Sequence, residues 1–165
     1  MKKKTKKINK TLYWLMKSEP DVFSIEDLVK SPNQTACWVG IRNYQARNYM
    51  RDDMQLEDRV LVYHSNAKPS CVVGTATVVK TSHPDHSAWN PGSPYFDPKT
   101  DQSNPRWFMV DIRWDSTFTN PQSLEMLREY PKLANMVLLK KGMRLSIQTV
   151  TQQEFAVIEK LGSSI

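Results

Sequence analysis

Two cysteines, five glycines and no apolar run beyond the five residues from Leu12 to Met16 are the scarcities that bound this 165-residue chain. Cys37 and Cys71 stand alone, without C-x-x-C spacing, so the sequence suggests neither a zinc ribbon nor a disulfide framework. They read as small buried thiols in a reducing compartment. The glycines, at positions 40, 74, 92, 142 and 162, are never clustered. Phosphate-cradling loops need clustered glycines so that backbone can approach the ligand, which argues against P-loop and dinucleotide sites. No G-x-S-x-G nucleophile elbow is present either. The short apolar run is followed by Lys17, which makes it too short for a signal-peptide core or a membrane span. The sequence therefore predicts an intracellular protein with no membrane partner, no cofactor and no metal.

The net charge of +6 is unevenly spread. Residues 1–10 carry six lysines and no acid; removing them from the 23 Lys and Arg leaves 17, equal to the 17 Asp and Glu. The body is thus formally neutral. The lysine run is expected to be a disordered, solvated tail over residues 1–10, able to add sequence-independent attraction to phosphates. Residues 11–165 form the expected domain, long enough to bury a core.

Along that domain, Leu12 to Lys17 predicts a strand. Ser24, followed by Glu26 and Asp27, predicts a capped helix that ends before Pro32. The segment from Tyr44 to Met50 suits a second helix, with Arg47 and Arg51 on one face. Arg59 to His64 and Cys71 to Val79 read as strands joined by a turn at 66–70. Residues 81–106, interrupted by five prolines, predict a long irregular loop of the kind that is functional or mobile. Trp107 to Trp114 predicts a strand, Leu124 to Arg128 and Lys132 to Leu139 predict helices, and Arg144 to Val150 a last strand. Thr151 and Glu154 form a capping box that opens a C-terminal helix through Leu161. The expected fold is a single α+β domain: a curved sheet or open barrel of five or six strands with short flanking helices.

What the chain does have is flat surface, with five Trp, six Tyr and five Phe. Two blocks concentrate it beside polar groups: Tyr13-Trp14-Leu15-Met16-Lys17-Ser18-Glu19-Pro20 and Trp38-Val39-Gly40-Ile41-Arg42-Asn43-Tyr44-Gln45-Ala46-Arg47. An aromatic face for stacking next to donors and acceptors is what a pocket for a nucleobase requires. Each residue also has a plainer reading: Trp38 as core, Asn43 as a helix cap, Arg42 and Arg47 as a solvated helix face. His64 ends a strand, where its ring suits either a structural hydrogen bond or a pocket edge. His83-Pro84-Asp85-His86 reads as a polar loop, since Pro84 removes the helical spacing that pairs metal-binding histidines.

Together with Tyr63-His64-Ser65-Asn66 and Asn104-Pro105-Arg106-Trp107, these blocks resemble, in order, the signature segments of the EVE domain as found in the thymocyte nuclear protein family. The resemblance runs from about Leu12 to the C-terminus. It implies a PUA-like fold, similar to YTH and ASCH domains, with a pocket that reads modified bases, above all 5-substituted cytosines such as 5-methylcytosine and 5-hydroxymethylcytosine in DNA. By that resemblance Lys17, Ser18 and Glu19 line one wall, Trp38 forms the aromatic wall with Val39 beside it, and Asn43 and Arg47 lie near the mouth. Ser65 and Asn66 close the base-edge side, next to His64 as the candidate pocket edge, and Trp89, Tyr95 and Asp97 form a lid.

The expectation is a non-enzymatic, monomeric reader of modified bases in nucleic acid, with DNA favoured over RNA. It would be cytoplasmic in a bacterium and nuclear in a eukaryote. Two rivals stand beside it. One is an ASCH-like hydrolase of acylated pyrimidine nucleosides, with Lys17 activating Ser18 and Glu19 carrying the proton. The other is a protein-interaction module built on the loop around Trp89 and Tyr95.

Overall fold

A computed structural model describes residues 10–164. Apart from Lys10, the lysine run lies outside the described residues. Six strands form one sheet in the order β2-β5-β4-β3-β1-β6, comprising β1 (Tyr13–Ser18), β2 (Thr35–Cys37), β3 (Arg59–His64), β4 (Cys71–Pro84), β5 (Phe108–Ser123) and β6 (Ile147–Val150). β1 and β3 are parallel, and the remaining neighbours are antiparallel. A parallel pair needs a long crossover. Residues 19–58 supply it and carry α1 (Ile25–Lys30), β2 and α2 (Tyr44–Asn48), which runs into a π-helical turn at Tyr49–Asp53.

Strand alternation sorts the core into two layers. Trp14, Met16, Val60 and Val62 point to one face and pack with Ile25, Trp38 and Met50. Leu15, Leu61 and Tyr63 point to the other and pack with Leu127, Phe155 and Ile158, under α3 (Leu124–Arg128) and α4 (Gln152–Gly162). Burial on both faces explains why β1 and β3 read as continuous apolar runs rather than alternating ones. β4 and β5 span 14 and 16 residues, and their register slips at four places. Each irregularity adds local twist, so this hairpin curves strongly and the sheet wraps around its first core layer.

Local signals place the ends of the helices. Ser24 Oγ accepts from Asp27 N at 3.1 Å while Asp27 Oδ2 accepts from Ser24 N at 2.8 Å. Thr151 and Glu154 form the same reciprocal pair at α4. Asp58 anchors the crossover: buried, it accepts from Leu12 N, Gln55 N and the Trp14 indole.

Three sequence expectations are corrected. The helix predicted from Lys132 to Leu139 is two 3-10 turns, Pro131–Leu133 and Val137–Leu139, because Met136 is extended between them (ψ 135°). That break allows Leu133, Met136, Leu138 and Leu139 all to reach the second core layer. The loop predicted over 81–106 is shorter: β4 continues to Pro84, and His86–Trp89 forms a 3-10 turn capped by Asp85. The cysteines are not fully buried. Cys37 ends the edge strand β2 and is exposed, and Cys71 is half-buried.

Candidate nucleobase-binding site

The C-terminal end of β1 opens into a cavity of about 1040 Å³. Three segments distant in sequence converge there. Lys17 N donates to Ser146 O at 2.9 Å and Ser65 N to Ser18 O at 3.0 Å, so β1 ties the loop before β6 to the loop after β3. Glu19 closes that wall by accepting from Asn66 Nδ2 at 2.6 Å. Lys17 Nζ is half-buried, donates to Met143 O at 3.4 Å and sits 5.5 Å from the Tyr63 ring centroid. Burial holds the Lys17 ammonium below the usual lysine range.

The opposite wall begins at Trp38. Its N–H donates to Val110 O at 2.8 Å, and its ring lies edge-to-face on Phe23, with centroids 6.0 Å apart at 88°. At 6 % exposure Trp38 belongs to the first core layer and to the cavity wall at once. Asn43 also has two roles, since its Oδ1 caps α2 by accepting from Ala46 N while the residue lines the cavity.

A buried clasp positions the third wall. Asp85 accepts from Gly40 N at 2.9 Å, from Arg42 Nη1 at 3.0 Å and from Ser87 N and Oγ. Arg42 then reaches across to the Tyr95 carbonyl with Nε at 3.1 Å and Nη2 at 2.6 Å. Burial raises the Asp85 pKa, but the donors from Ser87, Gly40 and Arg42 outweigh it and leave the carboxyl below its ordinary value. Tyr95 is thereby laid over Gly40, which adopts φ +86°. A Cβ at Gly40 would stand 2.6 Å from Tyr95 Cε1. Gly40→Ala is accordingly expected to cost about 1–3 kcal/mol through backbone strain and to displace Tyr95, measurable as a lower thermal midpoint together with weaker ligand binding.

Nine of the residues singled out in the sequence line this cavity: Lys17, Ser18, Glu19, Trp38, Val39, Asn43, Ser65, Asn66 and Tyr95. Four others lie outside it. Arg47 sits over the Tyr44 ring and donates to Arg106 O. Asp97 braces the loop by accepting from the Trp107 indole at 2.8 Å. Trp89 closes the 3-10 turn with its indole N–H buried and unpartnered. His64 is structural, its Nε2 accepting from Ile25 N at 3.1 Å.

The His64 contact predicts a pH effect. Burial depresses the His64 pKa below its ordinary 6.5. The stabilisation from neutral His64 is complete above that value, declines as the pH falls below it, and is gone below the folded-state pKa. In His64→Gln, whose amide oxygen can accept the same N–H, the thermal midpoint should fall less between neutral and mildly acidic pH than in the wild type.

Sequence reasoning missed Met143, Arg144 and Ser146, which reach the cavity because β6 pairs with β1. It also left Arg42, the clasp residue, without a site role. Chemically the cavity offers aromatic surface, one half-buried ammonium, two guanidinium groups, one carboxylate and two amides. Its Ser18 hydroxyl donates to the Phe23 carbonyl at 2.7 Å, not to a base. Among the described residues no group of three or more His, Cys, Asp or Glu side chains is placed to hold a metal ion.

Comparison with known proteins shows the family. The EVE domain family model matches residues 12–161. Thymocyte nuclear protein 1 of mouse is 42% identical over 170 residues, covering 93% of this chain and 74% of that protein. The crystal structure of human THYN1 protein in complex with 5-methylcytosine-containing DNA superposes with a TM-score of 0.87 at 40% identity, covering 94% of this chain and 99% of that one. An ASCH protein of Zymomonas mobilis shares the fold alone, with a TM-score of 0.52 at 11% identity. With three of its four signature blocks contributing to one cavity and the family model matching nearly the whole domain, this chain belongs to the EVE domain family.

Proposed function

We propose that this protein is a non-enzymatic reader that takes one modified base, a 5-substituted cytosine in DNA, into the cavity between Trp38, Tyr95 and the end of β1. The observation that carries this reading is the convergence of Trp38 and Tyr95 with Lys17, Glu19, Asn43 and Asn66 around a single opening. Stacking on an aromatic ring contributes about 1–3 kcal/mol per base. The Watson–Crick edge of cytosine presents an amino donor and ring acceptors. Glu19 suits the amino group, while Lys17 and Asn66 suit the acceptors. A base inside a duplex cannot reach such a site, so the ligand is extruded or single-stranded. The human relative in complex with 5-methylcytosine-containing DNA supports this reading, and the proposed ligand is accordingly DNA rather than RNA.

The reader is proposed to act as a monomer, in the nucleus of a eukaryotic cell or the cytoplasm of a bacterial one. Among the described residues no helix is long and apolar enough to cross a membrane. The hydrolase alternative needs a nucleophilic hydroxyl whose proton goes to a base, whereas the Ser18 hydroxyl donates to the Phe23 carbonyl.

The test is a panel of free nucleosides followed by tryptophan fluorescence, comparing the wild type with Trp38→Phe. A response to 5-methyl-2′-deoxycytidine that weakens in Trp38→Phe supports the cavity as the base site. A response unaffected by that change places the ligand elsewhere, and conversion of an acylated cytidine would establish the hydrolase.

A further inference from the structure

Next to the cavity lies an aromatic that the base pocket does not use. Tyr44 is 53% exposed, yet it is held in place. Its ring stacks on Trp107 with centroids 5.0 Å apart and planes inclined by 24°. Trp107 is buried and pinned through its indole to Asp97. The Arg47 guanidinium lies 4.6 Å from the Tyr44 centroid and 5.9 Å from that of Trp107. Arg42 lies 5.3 Å from Trp107 and 5.8 Å from Tyr95, so the cation of the clasp joins the cavity wall to this stack. Asn43, the residue before Tyr44, lines the cavity itself. An exposed ring carries little conformational freedom when it is already stacked, so little entropy is lost when a ligand stacks on it.

Charge identifies the occupant. Arg42, Arg51 and Arg106 face Asp85, Asp52 and Asp97. Arg47 makes no ion pair among the described residues; its guanidinium donates to Asn48 Oδ1 and Arg106 O, both neutral. A cation with no carboxylate in ion-pair contact among the described residues, beside a fixed, exposed aromatic, fits a ligand with an anionic backbone and a flat face repeated along it. That ligand is a nucleic-acid strand.

We infer that Tyr44 and Arg47 form a second subsite, in which the base next to the one in the cavity stacks on Tyr44 and its phosphate meets Arg47. This rests on the cavity holding a base. It adds an affinity for strand context that the cavity lacks: the free nucleoside engages the cavity alone, and the oligonucleotide engages both subsites.

The test titrates 5-methyl-2′-deoxycytidine and a single-stranded oligonucleotide carrying one 5-methylcytosine against the wild type, Tyr44→Ala, Tyr44→Phe and Arg47→Gln. Tyr44→Ala should weaken the oligonucleotide by about tenfold or more and leave the nucleoside within about twofold, while Tyr44→Phe restores binding. Arg47→Gln should make the log–log salt dependence shallower by about 0.7, the value for one single-strand phosphate. Abasic positions on both sides of the methylated base should erase the difference between wild type and Tyr44→Ala. An oligonucleotide affinity unchanged in Tyr44→Ala, or an equal loss for the nucleoside, overturns the second subsite. Failure of the nucleoside to bind the wild type overturns the cavity reading instead, and a loss of oligonucleotide binding in Tyr44→Ala still registers the platform.

Discussion

Replacing Trp38 by alanine is expected to abolish base binding and to destabilise the domain by about 3–5 kcal/mol. Both effects follow from the position of the ring, which closes the first core layer and forms the aromatic wall of the cavity. Phe23, edge-on to it, would lose its partner and border the void. Against a total stability of about 5–15 kcal/mol the loss is severe, so alanine by itself does not separate folding from recognition. Trp38→Phe separates them. It retains most of the apolar volume and reduces the stacking area, so the denaturation midpoint should move little while base affinity falls. Chemical denaturation alongside ligand titration measures both.

Asp85→Ala is expected to give the second-largest effect, a loss of about 3 kcal/mol. The Asp85 side chain is fully buried and opposes an Arg42 side chain that is 24% exposed. Its removal leaves the Arg42 guanidinium and the N–H groups of Gly40 and Ser87 without their acceptor. Arg42 is what holds the Tyr95 carbonyl, so the Tyr95 wall should loosen as the clasp opens. Base binding should weaken in proportion, and thermal unfolding should show the stability loss with or without ligand. A midpoint equal to that of the wild type would show that the clasp contributes nothing to the fold.

Legibility in the sequence followed the range of the forces involved. The Ser24–Asp27 and Thr151–Glu154 capping boxes act within four residues, and both marked helix starts correctly. β1 and β3 were visible because burial on both faces makes each a dense apolar run. β2 was not visible: three residues, Thr35–Cys37, carry no pattern and form a strand because β5 offers a partner. The end of β4 is similar. Lys80 to Pro84 looks like loop, yet Asp111 to Phe108 of β5 hold it in the sheet.

The candidate site divides the same way. The two aromatic-polar blocks stood out in the sequence as pocket candidates, and most of the residues that the family resemblance assigned to walls line the cavity. Arg144 and Met143 were not legible, since they stand more than a hundred residues from Lys17 and arrive through the β1–β6 pairing. Nothing in the sequence marked Asp58 or Asp85 as buried; their burial goes with donors that the fold gathers around them. His64 was read as equally suited to a pocket edge and a structural bond. The bond to Ile25 N puts its ring to work at the start of α1.

The most direct test of the account is a titration of the full chain with matched oligonucleotides that differ in one 5-methyl group, single-stranded and mismatched, at several salt concentrations. Burial of one methyl group contributes about 1 kcal/mol, so the methylated strand should bind about five- to tenfold more tightly, with the ratio independent of salt. Both strands should weaken together as salt rises, because phosphate attraction is common to them. Equal affinities for the methylated and unmethylated strands at every salt concentration would contradict the reader and leave a protein that binds strands without regard to the base.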